Sequence, residues 1–115
     1  MMITLYGIKN CDTVKKARDW LLKNNIDYRF HDFRADGIDE THVKNWIAEL
    51  GLETLVNKRS TTWKELDENT KESFNAQNAV AVIVENPTLI KRPLLDIGKQ
   101  KYVSFNDAEY AKIFS

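Results

Sequence analysis

Cys11 is the one cysteine of the chain, and it ends the run Ile3-Thr4-Leu5-Tyr6-Gly7-Ile8-Lys9-Asn10-Cys11. The run reads as a short strand, a glycine-containing turn and a thiol at the mouth of a helix. A helix start leaves backbone N–H groups without intrahelical partners and carries partial positive charge. Such surroundings favour thiolate over thiol, and thiolate is the nucleophile of sulfur chemistry. A lone cysteine in an arbitrary protein is more often a small buried hydrophobe. The position between strand and helix is what turns the reading toward catalysis. With no second cysteine, no disulfide closes within the chain, so an adduct on Cys11 must be released by a thiol from outside.

The neighbours of the thiol divide by charge and by hydrogen-bonding capacity. Lys9, Lys15 and Lys16 surround it in sequence. Positive charge in a first helical turn opposes the helix dipole, which is reasonable where an anion binds. Lys9 is taken as part of the thiolate's neighbourhood, Lys16 as surface, and Lys15 stays open between the two. Asn10, Asp12 and Thr13 carry oxygens suited to capping the helix. Thr13 is alternatively a hydrogen-bond donor to the sulfur. Asp12 is expected to point away, because a like charge disfavours thiolate. His31 and His42 have no further ligands at metal spacing, and no metal is expected. Trp20, Trp46 and Trp63 read as packing. No phosphate-binding glycine loop, nucleotide fingerprint or Ser-His-Asp pattern is present.

The elements that must hold these residues follow from periodicity. Ile3 to Tyr6 reads as a strand, and Val14, Ala17 and Leu21 define one face of a helix over residues 12–23. Tyr28 and Phe30 alternate with Asp27, Arg29 and His31 as in a half-buried strand. The three form a β-α-β unit with parallel strands. After a loop at Arg34 to Gly37, Asp39 caps a helix carrying Val43, Trp46, Ile47 and Leu50, with Gly51 as its stop. Thr62 with Glu65 has the capping-box form and predicts a short helix to about Leu66. Another short helix is predicted over residues 71–75. Residues 79–84 favour a strand by propensity. Leu94 to Ile97 and Lys101 to Phe105 predict an antiparallel hairpin turning at Gly98. Asn106 caps a last helix that turns Tyr110, Ile113 and Phe114 inward.

The order β-α-β, a mostly helical stretch, then β-β-α matches a thioredoxin-like α/β core with a mixed four-stranded sheet. The middle is too long for a simple crossover and is read as a helical insert. The expected division is a core of residues 1–33 and 88–115 with an insert at about 34–87, all in one domain. The 115 residues suit that size. Lys plus Arg and Asp plus Glu number 17 each, so the formal net charge is zero. No general attraction to nucleic acid or to a membrane follows. No apolar stretch is long enough to span a bilayer, and the N-terminus lacks signal-peptide form. A cytoplasmic location and a monomer are the expectations.

Three segments resemble the arsenate reductase (ArsC) family. They are the run from Tyr6 to Ala17, the segment Arg59-Ser60-Thr61-Thr62-Trp63, and the Arg-Pro signature within Asn86 to Leu95. They stand in the family's order and at its distances, and they cover nearly the whole chain. The nearest pattern is the YffB-type subgroup, described as glutathione-dependent thiol reductases; Spx-type regulators are relatives. The resemblance implies a thioredoxin-like fold with a helical insert, a helix rather than a strand at 79–84, a cis Arg92–Pro93 bond, and Arg92 and Pro93 beside the thiol. It implies that Arg92 binds a negative group and that Pro93 shapes the backbone facing Cys11, where an extended peptide such as glutathione can pair. Arg59 and Lys58 are candidates for that peptide's carboxylates.

Two departures narrow the function. Arsenate reductases of this type place three arginines around the oxyanion. Arg92 matches one, Asn57 stands where another would fall, and no arginine follows Gly98. Spx-type regulators often carry a Cys-x-x-Cys switch, and Val14 stands at its second position. The resulting expectation is a monothiol oxidoreductase, a thiol reductase. Cys11 is its nucleophile, and Arg92, Pro93, Lys9, Asn10, Thr13 and Arg59 bind the substrate. There is no tightly bound cofactor; glutathione is co-substrate, and glutathione or a glutaredoxin-like protein is the resolving thiol. The alternatives are an Spx-like binding module that engages RNA polymerase and arsenate reductase proper.

Overall fold

A computed structural model of the protein describes residues 2–75 and 77–115. The chain divides into two compact units, Met1–Asp32 with Arg92–Ser115, and Phe33–Lys91.

The first unit is built on a four-stranded mixed sheet with strand order β2-β1-β3-β4. Its strands are β1 Thr4–Gly7, β2 Arg29–Asp32, β3 Leu94–Asp96 and β4 Lys101–Val103. The crossover helix α1, Asp12–Lys23, makes β1 and β2 parallel, with Leu5 opposite Phe30. β3 returns antiparallel to β1, with Tyr6 opposite Leu94, and β4 pairs antiparallel with β3. Side chains alternate across a strand, and the register uses this. Leu5, Phe30, Leu95 and Tyr102 share one face, where Leu5 and Leu95 join Ala17 and Leu21 of α1 and Tyr110 in the core. Tyr110 belongs to the last helix of the chain, α8, Asp107–Ile113, which begins at Asn106; the Asn106 side chain accepts from the Glu109 N–H. Trp20, Phe105 and Phe114 meet the Tyr110 ring edge-on, at centroid distances of 5.6, 4.7 and 6.2 Å.

The second unit is helical: α2 Phe33–Asp36, α3 Glu40–Leu50, α4 Leu52–Leu55, α5 Thr61–Glu65, α6 Glu68–Glu72, α7 Ala79–Glu85 and a 3-10 turn at Pro87–Leu89. Asp39 caps α3 through the His42 N–H, and Gly51 ends it at φ 86°. α7 packs on α3 and buries Ala79 and Ile83, one helical turn apart. The strand that propensity predicts at 79–84 is therefore a helix, as the family resemblance implied. The helix cost of β-branched residues is a few tenths of a kcal/mol each, less than the gain from burying Ile83 completely. A short antiparallel bridge joins Val56 to Ile90, closed by Asn57 N–H to Leu89 carbonyl and Lys91 N–H to Leu55 carbonyl, both 2.8 Å.

Three local expectations are corrected. α5 is capped by Ser60, whose Oγ accepts from the Trp63 N–H at 3.1 Å and donates to the Asn57 carbonyl at 2.7 Å. Thr62, expected as the cap, lies inside the helix and bonds Thr88 Oγ1 at 2.6 Å. The helix predicted at 71–75 runs from Glu68 to Glu72 because Asp67 caps it through the Thr70 N–H. These bonds hold the Asp67 carboxyl below its usual range. The segment read as a loop at 34–37 is helical over residues 34–36, as part of α2. No helix among the described residues is long and apolar enough to cross a membrane.

Candidate active site

The chain leaves β1 at Gly7 and enters α1 at Asp12, with Cys11 in the N-cap position. Cys11 has extended backbone, φ −120° and ψ 121°, and its carbonyl accepts the first helical bond from the Lys15 N–H at 2.9 Å. Its side chain makes no capping hydrogen bond, and the residue is half-buried. The expectation that Asn10, Asp12 or Thr13 caps this helix is therefore corrected: Cys11 occupies the position that an oxygen-bearing residue usually takes. Asn10 is exposed in the preceding turn, and Thr13 is half-buried in the first turn of α1. The Thr13 hydroxyl makes no hydrogen bond with a described residue. Asp12 is exposed at the first helical position.

Gly7 controls how α1 departs. A Cβ at Gly7 would stand 2.7 Å from Val14 Cγ2 and 3.0 Å from Val14 Cγ1. Only glycine lets the strand end lie this close to the helix's first turn. Val14, 1% exposed, is thereby held against the sheet, and Cys11 three residues earlier is placed at the strand's carboxyl end.

The same sheet end carries the Arg-Pro corner. Since Tyr6 faces Leu94, Pro93 stands one position before β3, level with the end of β1. The Arg92–Pro93 peptide is cis. Pro93 is buried, has no N–H, and its carbonyl accepts from the Ser104 N–H at 2.9 Å. The open backbone expected at Pro93 is therefore largely spoken for. The N–H and carbonyl of the half-buried Arg92 have no partner among the described residues, so the groups left to pair with a peptide are those of Arg92.

Lys9 is exposed two residues before Cys11. Together with Lys15 and Arg18 it lines a cleft of about 220 Å³ in the first unit. Arg18 was invisible to motif reading. It stands seven residues after Cys11, a spacing that puts both on one helix face, and that is the one signal the sequence offered. In the second unit, Arg59 is exposed in a turn pinned by its own N–H to Asn57 Oδ1 at 2.9 Å. Lys58, next to it, lies over the Trp63 ring at 5.3 Å. His31 is half-buried with its ring 4.8 Å from that of Tyr6, and His42 bonds Asp39 at 2.7 Å. No cluster of His, Cys, Asp and Glu among the described residues could hold a metal ion.

A mixed sheet of this order, with helices α1 and α8 on one face, defines the thioredoxin-like class, here with a helical segment between its two halves. Within that class the chain belongs to the ArsC family, whose model matches residues 6–113. An uncharacterized protein of Haemophilus influenzae is 49% identical over 114 residues, 99% of this chain and all of the relative. The solved structure of a protein called YffB superposes with a TM-score of 0.95 at 41% identity, covering 99% of this chain and 100% of that one. The global transcriptional regulator Spx of Streptococcus pyogenes is 27% identical over 116 residues, 99% of this chain and 86% of the regulator.

Proposed function

We propose that the protein is a monothiol oxidoreductase that reduces an oxidised sulfur compound at the expense of an external thiol, with glutathione as co-substrate. The observation that carries this reading is the setting of Cys11: a half-buried cysteine at the N-cap of α1, without a capping bond of its own. The N–H groups and positive end of the helix stabilise an anion there.

In the first step the Cys11 thiolate attacks one sulfur of a disulfide. A bond forms between Sγ and that sulfur, the original S–S bond breaks, and the other sulfur leaves as thiolate. In the second step an external thiolate attacks the substrate sulfur of the mixed disulfide, forms a new disulfide with it, and Cys11 leaves as thiolate with the charge conserved; a second external thiol then releases that sulfur and ends as the external disulfide. The two electrons that reduce the substrate come from the external thiols, glutathione or a glutaredoxin-like protein. Arg92 holds a carboxylate of the incoming peptide, while its unpaired backbone N–H and carbonyl pair with the peptide's main chain. Lys9, Asn10 and Thr13 border the leaving sulfur.

Intact-mass analysis tests the reading. Native protein treated with oxidised glutathione gains one glutathionyl group, which excess glutathione removes; Cys11→Ser gains none. Failure of the native wild type to form the adduct ends it. The other two readings lose ground on particular residues. Val14 is buried against Gly7 where an Spx-type switch would need a second thiol. Asn57 spends its side chain on the Arg59 N–H instead of offering a guanidinium to an oxyanion.

A further inference from the structure

The exposed face of α1 carries a basic cleft along the helix stripe that Cys11 begins. Cys11, Lys15, Arg18, Asp19 and Leu22 follow one another at offsets 4, 7, 8 and 11, a single stripe of the helix. The buried stripe is Val14, Ala17 and Leu21. Lys9, Lys15, Arg18, Asp19, Leu22 and Tyr28 line the cleft. Lys15 stands one turn beyond Cys11 on that stripe.

Arg18 is fixed in place before anything binds. Its Nε donates to the Tyr28 hydroxyl at 3.0 Å, and its guanidinium lies 4.1 Å above the Phe30 ring. One face and one donor are used. No carboxylate among the described residues pairs with the remaining donors, nor with Lys9 or Lys15. Three cations therefore face one carboxylate, Asp19, in a chain whose formal net charge is zero. A guanidinium already ordered by a ring and a hydroxyl loses little freedom on meeting an anion. Its planar fork suits a carboxylate.

We propose that this cleft is a carboxylate subsite for the peptide thiol that exchanges with Cys11, with Lys15 and Arg18 as its binding residues and Lys9 at its mouth. The proposal rests on the thiol reading above and adds the residues that choose an anionic peptide over a neutral thiol. Exposed ion pairs are individually weak, so the discrimination is modest and depends on salt.

The test separates the cleft from the chemistry. S-methylglutathione, which cannot form a disulfide, is titrated into isotopically labelled Cys11→Ser. The amides of Lys9 and Lys15 and the Nε of Arg18 shift in a saturable, salt-sensitive manner, and Lys15→Gln weakens binding about threefold. Rates of Cys11 modification are then compared between oxidised glutathione and uncharged 2-hydroxyethyl disulfide. Lys15→Gln with Arg18→Gln slows the first about tenfold and leaves the second within twofold. Lys15→Gln alone, at an exposed position, guards against a folding defect from Arg18. Absence of shifts in the cleft, or equal slowing with both disulfides, overturns the subsite. A wild type inert to both disulfides, with S-methylglutathione still bound in the cleft, would instead overturn the thiol reading alone.

Discussion

Gly7 lies against Val14 so closely that a methyl group on Gly7 would fall 2.7 Å from Val14 Cγ2. The contact joins the last residue of β1 to the first turn of α1, and the turn between them ends in Cys11. Valine is stiff at χ1 and here is fully buried, so it has little room to retreat. Gly7→Ala is expected to destabilise the protein by about 1–3 kcal/mol, the usual cost of overpacking. Urea denaturation measures it. Adding Val14→Ala to that variant should restore little or nothing if the backbone itself clashes, and part of the loss if the methyl contact is responsible; we expect the latter.

Tyr110 is fully buried, and its hydroxyl has no hydrogen-bond partner among the described residues. An unsatisfied buried hydroxyl costs about 1–3 kcal/mol, while the ring is held by its aromatic neighbours. Tyr110→Phe is expected to be as stable as the wild type, or more stable by about 1 kcal/mol, in thermal or urea unfolding. A loss of more than about 1 kcal/mol would mean that the hydroxyl is satisfied.

The same hydroxyl sets an alkaline limit. Burial first, and the Glu109 carboxylate second, push the Tyr110 phenol far above its ordinary value of 10.0. The folded state thus binds this proton more tightly than the unfolded state. The stability it contributes is complete below pH 10 and is lost as pH rises through the folded value, by roughly 1 kcal/mol per pH unit. Between pH 10 and 11.5 the wild type should lose stability faster than Tyr110→Phe. Parallel curves would contradict the assignment.

Ser60 serves two bonds from an almost buried position, accepting from Trp63 and donating to Asn57. Ser60→Ala is expected to cost about 1–2 kcal/mol, as for loss of a helix cap. Ser60→Asp should retain the cap but lose the donation to Asn57, and fall between the two. Urea midpoints rank the three.

Arg92→Ala should slow glutathionylation of Cys11 about tenfold, with circular dichroism and unfolding midpoint little changed. A tenfold change matches one charge-assisted bond of about 1.4 kcal/mol. Unchanged kinetics would remove Arg92 from the substrate's reach.

Much of this was legible in the chain because the signals are local. The helix over 12–23 announces its buried stripe through Val14, Ala17 and Leu21, and Asn106 and Asp39 announce helix starts through side chains that bond three residues on. The four strands followed from alternation and from Gly98. Other choices are made by distant partners. Ser60 outcompeted Thr62 as a cap because its hydroxyl also reaches Asn57, while Thr62 found Thr88, 26 residues away. Residues 79–84 read as a strand by propensity and are helical because α3 offers a surface for Ala79 and Ile83.

The sequence alone determined that a single cysteine ends a strand-to-helix turn and that no disulfide can close within the chain. Tertiary structure decided the rest: that sulfur itself stands at the helix cap, that Arg92 keeps its backbone unpaired while Pro93 does not, and that Arg18 is pinned by Tyr28 and Phe30 along the same helix face as the thiol. The reason is physical. Capping and periodicity depend on neighbours a few residues apart, whereas a hydrogen bond or a ring contact across the sheet depends on register, which appears only once the strands have paired.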